Sequence, residues 1–477
     1  MIVVHYITKI CTEQCSYEGL CYPYRKKIYG DMLLNDKISL FGSISSKLKE
    51  KIAIVEQSKY NTMIEYITPE HILSNLANLP QLVFEVTDAC NLRCKYCAYG
   101  EFYGDFDKRE DKMLPESRAI QLIEFLNQYW NSDRNTSAKS FMYISFYGGE
   151  PLINFNFIKE IVEYVETRLD CPRRKFLFSM TTNGILLHRY MDYLVKHNFH
   201  ILVSLDGNEK NHSYRLDHYG NSSFKRVVQN VDLLREKHPD FFDKNINFNS
   251  VFHNRSTVEE VYRFFKDRYN KIPTISELNN SGIRLDKIEE FNLTYRNTEE
   301  SLHQSEHYEE IEKDMFIGTS SYKSLVLYLH QYSGNYYRDY TDLLFNKEHI
   351  KYIPTGTCLP FSKKMFVTVN GKILPCERIG HQFGLGQVLE NHVELNPIEI
   401  AKKYNEYYNK MRAQCSHCRN QSSCIQCMFN LKDINKNPVC YGFMNDAMME
   451  QFKQQQLQFM RKHPGVYREI MEKVFTV

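Results

Sequence analysis

The sequence predicts an α/β fold built on a parallel sheet or barrel, followed by a small metal-stapled domain. Three observations predict it. From residue 81 onward, short β-branched and aromatic runs alternate with runs of helical apolar spacing. Polar segments, several carrying glycine, follow the strand-like runs. Cysteines gather again late in the chain, where regular pattern fades. Parallel strands need crossover helices, so the alternation implies a parallel sheet. In such folds chemistry sits on loops at the carboxyl ends of strands.

Taken in order, QLVFEVT (81–87) reads as the first strand, and a cysteine loop follows at once. SFMYISFY (140–147) is strand-like and NFIKEIVEYVETRL (156–169) helical. KFLFSMTT (175–182) and LLHRYMDYLVKH (186–197) form the next pair, then HILVSLD (200–206) and FKRVVQNVDLLREK (224–237). NINFNSVF (245–252) and VEEVYRFFKDRY (258–269) follow, with a last strand expected within 281–292. Residues 1–80 form an N-terminal extension of mixed signals, 293–352 a Tyr-rich helical bridge, 353–445 the metal-stapled segment, and 446–477 a terminal part whose residues 446–475 read as one charged, Gln-rich helix. The cysteine loop, Gly148-Gly149-Glu150-Pro151 and Ser204-Leu205-Asp206-Gly207 all fall after strands, so they are expected to converge on one face.

The chain has 477 residues, enough for two or three domains. A formal net charge of +2 gives no general pull toward nucleic acid or membrane, and neither is expected as a partner. The start, MIVVHYITKICTEQC, lacks a basic region leading into an apolar core and a cleavage site, and no apolar run is long enough to span a bilayer. A cytoplasmic location is expected. There the 14 cysteines are better explained as metal ligands than as disulfides. Cys171 stands alone and reads as a small buried thiol.

Cys90-Asn-Leu-Arg-Cys94-Lys-Tyr-Cys97 has the spacing C-x3-C-x2-C. Three thiolates on a short loop can ligate three irons of a cubane and leave the fourth iron open; zinc would ask for a fourth ligand. Gly148 and Gly149 allow close backbone approach, and Glu150 can accept from an ammonium. With Thr182-Asn183-Gly184 and the Ser-Leu-Asp-Gly segment in this order, residues 81–290 resemble the radical S-adenosylmethionine (SAM) superfamily. The resemblance implies a partial (β/α)6 TIM-like barrel and a [4Fe–4S] cluster on Cys90, Cys94 and Cys97 whose open iron binds S-adenosylmethionine. It implies reductive cleavage of that cofactor to a 5′-deoxyadenosyl radical, which removes a hydrogen atom from substrate. It also implies cofactor contacts from Tyr96 beside the adenine, from Gly148, Gly149 and Glu150 to the amino group, from Asn183, and from Ser204 and Asp206 near the ribose. Where relatives continue with His-Asp-x-x-Arg, this chain has Asn211-His212-Ser213-Tyr214-Arg215. Arg215 then either faces the cofactor carboxylate or is a surface ion-pairing residue. No catalytic acid or base is identified.

The late cysteines are Cys358, Cys376 and the run Cys415-x2-Cys418-x5-Cys424-x2-Cys427, then Cys440. They resemble the SPASM extension, which holds two auxiliary [4Fe–4S] clusters; a zinc ribbon is the alternative. Carried across, the family pattern puts Cys415, Cys418, Cys424 and Cys440 on an outer cluster. Cys358, Cys376 and Cys427 go to an inner one, its fourth position unassigned. Cys11, Cys15 and Cys21 could bind a metal, supply a missing ligand, or be ordinary thiols, and residues 1–80 could dock a peptide by strand addition.

The resemblance is greatest to maturases of ribosomally made peptides. It implies a precursor peptide or protein as substrate, a crosslink (thioether or C–C) as product, and an electron donor such as flavodoxin or ferredoxin. The alternatives are an anaerobic sulfatase maturase that makes formylglycine, and a non-catalytic, zinc-stapled peptide-binding protein.

Overall fold

A computed structural model describes residues 67–136, 141–315, 320–329, 353–421 and 424–473. Cys11, Cys15, Cys21 and the expected peptide-docking segment lie outside the described residues.

Six strands form the parallel unit: β1 (Gln81–Thr87), β2 (Phe141–Gly148), β3 (Lys175–Thr182), β4 (His200–Ser204), β5 (Ile246–Phe252) and β6 (Thr274–Glu277). They pair in chain order, each parallel to the next. The helices among them are α1 (Pro69–Ala77), α2 (Glu116–Trp130), α3 (Phe155–Glu163), α4 (Leu187–Lys196), α5 (Phe224–Lys237), α6 (Pro239–Asn245) and α7 (Val258–Tyr269). This is the open α/β barrel that the alternation implies.

The strands read as they do because each has two different faces. On β1, Leu82, Phe84 and Val86 are fully buried, and Phe84 meets Phe157 of α3 edge-on. The opposite face carries Val83, Glu85 and Thr87, which are also buried. On β2 to β5 that second face is polar. Gln81 donates to Ser145, Ser145 and Ser179 share a hydrogen bond of 2.6 Å, and the rings of Tyr143 and His200 meet edge-on. An apolar layer therefore fastens the sheet to its helices, and a polar layer lines the barrel's inside.

The sheet does not stop at β1. Its outer edge pairs in parallel with β7 (Met365–Val367), which continues antiparallel through β8 (Lys372–Leu374), β9 (Gly386–Val388) and β10 (Val393–Leu395). Between β6 and β7 lie α8 (Ile288–Thr294), α9 (Thr298–His303), α10 (Tyr308–Asp314) and α11 (Ser320–Leu327). After β10 come α12 (Pro397–Cys415), α13 (Asp446–Lys462) and α14 (Val466–Lys473). One apolar core runs from Leu82 and Trp130 to Phe366, Tyr404 and Phe429, joining the barrel to the cysteine-rich segment.

Several expectations need correction. The last barrel strand lies at 274–277, and 288–294 is helical: Glu289 and Glu290 in its first turn suit a helix N-terminus. The helix expected over 156–169 ends at Glu163 and loosens into a π turn, Tyr164–Arg168. The terminal helix is two, broken at His463-Pro464-Gly465 because proline cannot continue the hydrogen-bond ladder. Residues 353–445 hold four short strands and a long helix where little regular pattern is expected from sequence.

Candidate functional site

The cysteine loop leaves the carboxyl end of β1 and is tied down on every side. Backbone bonds join Gly149 N–H to Thr87 O (2.8 Å) and Glu150 N–H to Ala89 O (2.9 Å). At Gly149 a Cβ would sit 2.0 Å from Ala89 O, and at Gly148 one would sit 2.2 Å from Thr87 O. Only glycine lets the loop after β2 approach that closely. Across the loop, Arg93 N–H donates to Leu216 O and Lys95 N–H to Tyr214 O, and a His218 ring nitrogen lies 2.8 Å from Cys90 O.

Cys90, Cys94 and Cys97 thus share one sheltered loop. Burial pushes the Cys90 thiol up to about 11 and the Cys94 thiol up to about 12. In both cases the neighbouring cysteines add to the shift. Two buried thiols with a third cysteine beside them suit a bound cation, which favours the thiolate form, so the donor set fits an iron–sulfur cluster. Among the described residues no three His, Cys, Asp or Glu side chains close around a single metal ion.

Glu150 is fully buried and already engaged. Its carboxylate accepts from Leu152 N–H (3.2 Å), Thr182 Oγ1 (2.7 Å) and Asn183 N–H (2.7 Å). Burial nonetheless pushes it up to about 7. Its visible work is to clamp the loop after β2 to the loop after β3. Asn183 carries the clamp onward: its Nδ2 donates to Asn91 Oδ1 at 2.7 Å and lies 3.8 Å from Cys90 Sγ. Ser204 closes β4, half-buried on the polar face.

The Asp206 carboxylate is fully buried and bound by Arg215 through Nε and Nη2, both at 3.0 Å, and by Val251 N–H. The Tyr96 hydroxyl also donates to it. Burial opposes the charged form of Asp206, yet Arg215, His212 and these bonds hold its carboxyl below the usual range. Arg215 is 7% exposed, so it is not a surface residue; it pairs with Asp206 and lies over the Tyr96 ring. Tyr96 is likewise buried, stacked on His253 and edge-on to Tyr214. These three side chains lock the cysteine loop to the loop after β4.

Two residues that sequence patterns did not single out face the same place. Glu85 points into the barrel beside Tyr147 and accepts from Val369 N–H at 2.8 Å. An acid in an otherwise apolar parallel strand was the signal for it. Arg109 reaches Cys97 from a loop with no pattern of its own.

The late cysteines separate into two groups. Cys415 feels the charges of Cys424, Cys440 and Cys418, and Cys440 those of Cys424 and Cys418. Cys427 feels Cys358, and the buried Tyr404 faces Cys427, Cys358 and Cys376. Gly356 lets the Cys358 loop touch the next: a Cβ there would lie 2.0 Å from Cys424 O. Cys415, Cys418, Cys424 and Cys440 thus lie near one another, Cys358 lies near Cys427, and Cys376 shares Tyr404 with that pair. Cys171 is buried in the barrel core.

Among known proteins, residues 84–267 match the family model described as the Radical SAM superfamily. The chain is similar to the radical SAM cyclopropyl synthase TigE of Paramaledivibacter caminithermalis, 31% identical over 174 residues, 35% of this chain and 34% of that protein. It is also similar to the cysteine-type anaerobic sulfatase-maturating enzyme of Clostridium novyi, 26% identical over 195 residues, 40% of this chain and 49% of that protein. The matched part thus spans between a third and a half of these relatives. In fold the chain resembles native anSMEcpe with bound AdoMet, with a TM-score of 0.54 and 16% identity over 83% of this chain and 99% of that one. The same protein with AdoMet and the Kp18Cys peptide gives a TM-score of 0.53 at 17% identity. Among the described residues no helix is long and apolar enough to cross a membrane. The six-stranded barrel and the three-cysteine loop at its carboxyl end agree with the Radical SAM superfamily match over residues 84–267.

Proposed function

We propose that this chain is a radical SAM/SPASM maturase that installs a crosslink, thioether or C–C, in a ribosomally made precursor peptide. What supports the proposal is the nearness of Cys415, Cys418, Cys424 and Cys440 to one another, and of Cys358 to Cys427, beside a barrel with a polar interior. Cys90, Cys94 and Cys97 would hold the [4Fe–4S] cluster that binds S-adenosylmethionine. Cys415, Cys418, Cys424 and Cys440 would hold an outer auxiliary cluster, and Cys358, Cys376 and Cys427 an inner one. When bound, these groups supply a 5′-deoxyadenosyl radical for hydrogen abstraction and a sink for one electron.

The chain's own residues then have distinct tasks. The backbone at Gly148 and Gly149, with Asn183, shapes the space beside the cysteine loop. Ser204 lies on the face that would meet a ribose. Asp206, Arg215 and Tyr96 fix the loop from below. The precursor peptide would enter between the barrel mouth and the cysteine-rich segment, and a flavodoxin- or ferredoxin-like protein would deliver electrons.

A second reading, an anaerobic sulfatase maturase, is supported by the fold likeness across 99% of anSMEcpe and by the Clostridium novyi relative. One experiment separates them. The protein is incubated anaerobically with reductant, S-adenosylmethionine and either the short peptide encoded beside its gene or a sulfatase-derived Cys or Ser peptide. Loss of two hydrogens from the first, without an aldehyde, supports the crosslinking maturase. A hydrazide-reactive aldehyde on the second supports formylglycine formation. Failure to release 5′-deoxyadenosine with either peptide refutes both.

A further inference from the structure

Arg109 reaches the first cysteine loop from outside every motif named above. Its Nη2 lies 3.8 Å from Cys97 Sγ. Its guanidinium lies over the Tyr99 ring at 4.6 Å, and its Nε is buried without a hydrogen-bond partner among the described residues. The loop that carries it is anchored, since Glu110 N–H and Lys112 N–H both donate to the Asp88 carboxylate. Such a guanidinium is held by stacking and by its loop, with few competing hydrogen bonds.

The sulfurs are not treated alike. Cys90 Sγ accepts from Leu92 N–H at 3.4 Å and lies 3.8 Å from Asn183 Nδ2, both neutral donors. Arg215 is close enough for its charge to act on Cys94, but it is neutralised by Asp206. Arg109 brings its charge to Cys97 where both residues are half-buried.

We infer, on the reading that Cys90, Cys94 and Cys97 hold a [4Fe–4S] cluster, that Arg109 is a positioning residue that sets the cluster's reduction potential by donating to the Cys97 sulfur. Reduction adds one electron, and so one negative charge, to the cluster. A nearby fixed cation stabilises that added charge, and hydrogen bonds to sulfur act in the same direction. Burial makes the effect larger than it would be in water. Arginine suits the role because it stays charged and stacks on Tyr99, which lysine does less well.

The test is a redox titration of the anaerobically reconstituted full chain, followed by electron paramagnetic resonance, with iron and sulfide counted. The signal that changes when S-adenosylmethionine is added identifies the cluster concerned. R109Q is expected to keep wild-type iron and sulfide, while that signal appears only at a lower potential. R109K is expected to fall between R109Q and wild type, and Y99L to shift the same way by less. An unchanged midpoint in fully loaded R109Q overturns the inference. Loss of iron from R109Q and R109K alike also overturns it, since Arg109 would then serve only the fold. Wild-type protein with no SAM-sensitive signal would instead sink the cluster reading itself.

Discussion

Glu85 is the one acid in a strand that is otherwise apolar or neutral, and its position has a pH consequence. Burial pushes its carboxyl up to about 7, although the Val369 N–H and the charge of Arg109 favour the ionised form. Between pH 4.5 and 7 the unfolded chain has lost this proton while the folded chain keeps it. Stability from this group is therefore full at low pH and falls as pH rises through the window. A shift of that size corresponds to roughly 3 kcal/mol. Glu150 moves the same way for the same reason. E85Q is expected to remove this falling contribution, so that stability rises more, or falls less, between pH 4.5 and 7 than in wild type, where buried His212 acts in the opposite sense; this is measured by urea unfolding of apo-protein across the range, and an unchanged slope would show that Glu85 is not desolvated. The Asp206–Arg215 pair behaves differently because both partners are buried. R215A leaves a carboxylate in the core without its partner and should cost about 3–5 kcal/mol. D206N leaves the Arg215 guanidinium buried without its counterion and should cost a similar amount. Losses below about 1 kcal/mol in both variants, read from denaturant midpoints, would mean that the pair is not desolvated.

At the scale of elements, the Gly148–Gly149 loop is a joint between β1 and β2 rather than a free binding loop. G149A would force a methyl group against Ala89 O, backbone that cannot swing aside. It is expected to destabilise the fold by at least about 2 kcal/mol and to lower the iron bound by the cysteine loop; wild-type iron content and melting temperature together would contradict that. This joint was legible in advance, because paired glycines before an acid after a strand leave a plain mark. So were α5 and α7, whose apolar spacing is regular and whose starts are clear; Thr257 and Glu260 form a capping box at the head of α7. Helix α2 was not foreseen, although Ala119, Leu122, Ile123 and Leu126 lie on its buried stripe. It follows a long loop, and its N-terminal residue Pro115 makes no side-chain cap bond. Strands β7 to β10 span three residues each, too few for alternation to register. At the site, the C-x3-C-x2-C loop was plain in the sequence, but the burial of Arg215 and Tyr96 was not. Burial there depends on Asp206, and nothing local in sequence says that Tyr96 of one loop will meet an Asp206–Arg215 pair of another.

At the scale of the whole molecule, the cysteine-rich segment is built into the barrel's own sheet. Strand β7 supplies the parallel partner for the outer edge of β1, and the turn after it supplies the N–H that satisfies Glu85. Asp107, in the loop beyond the first cysteines, binds Lys372 Nζ at 2.7 Å and Asn370 Nδ2 at 3.2 Å, while Asp107 N–H donates to His381. The loop that presents Arg109 to Cys97 is therefore held by the segment that carries the late cysteines. A chain ending at residue 352 would lose this support in three ways at once. The edge of β1 would be open to strand pairing with other copies. Phe366, Tyr404 and Phe429 would be missing from the shared core. Glu85 would keep its burial cost without its backbone donor. Such a chain is expected to aggregate, and where soluble, to bind less iron on Cys90, Cys94 and Cys97 than a full chain in which only the seven late cysteines are changed to serine. The two variants separate sheet completion from cluster binding. A truncated barrel that stays monomeric by sedimentation, melts cooperatively and loads iron as well as the serine variant would show that the cysteine-rich segment is an independent attachment.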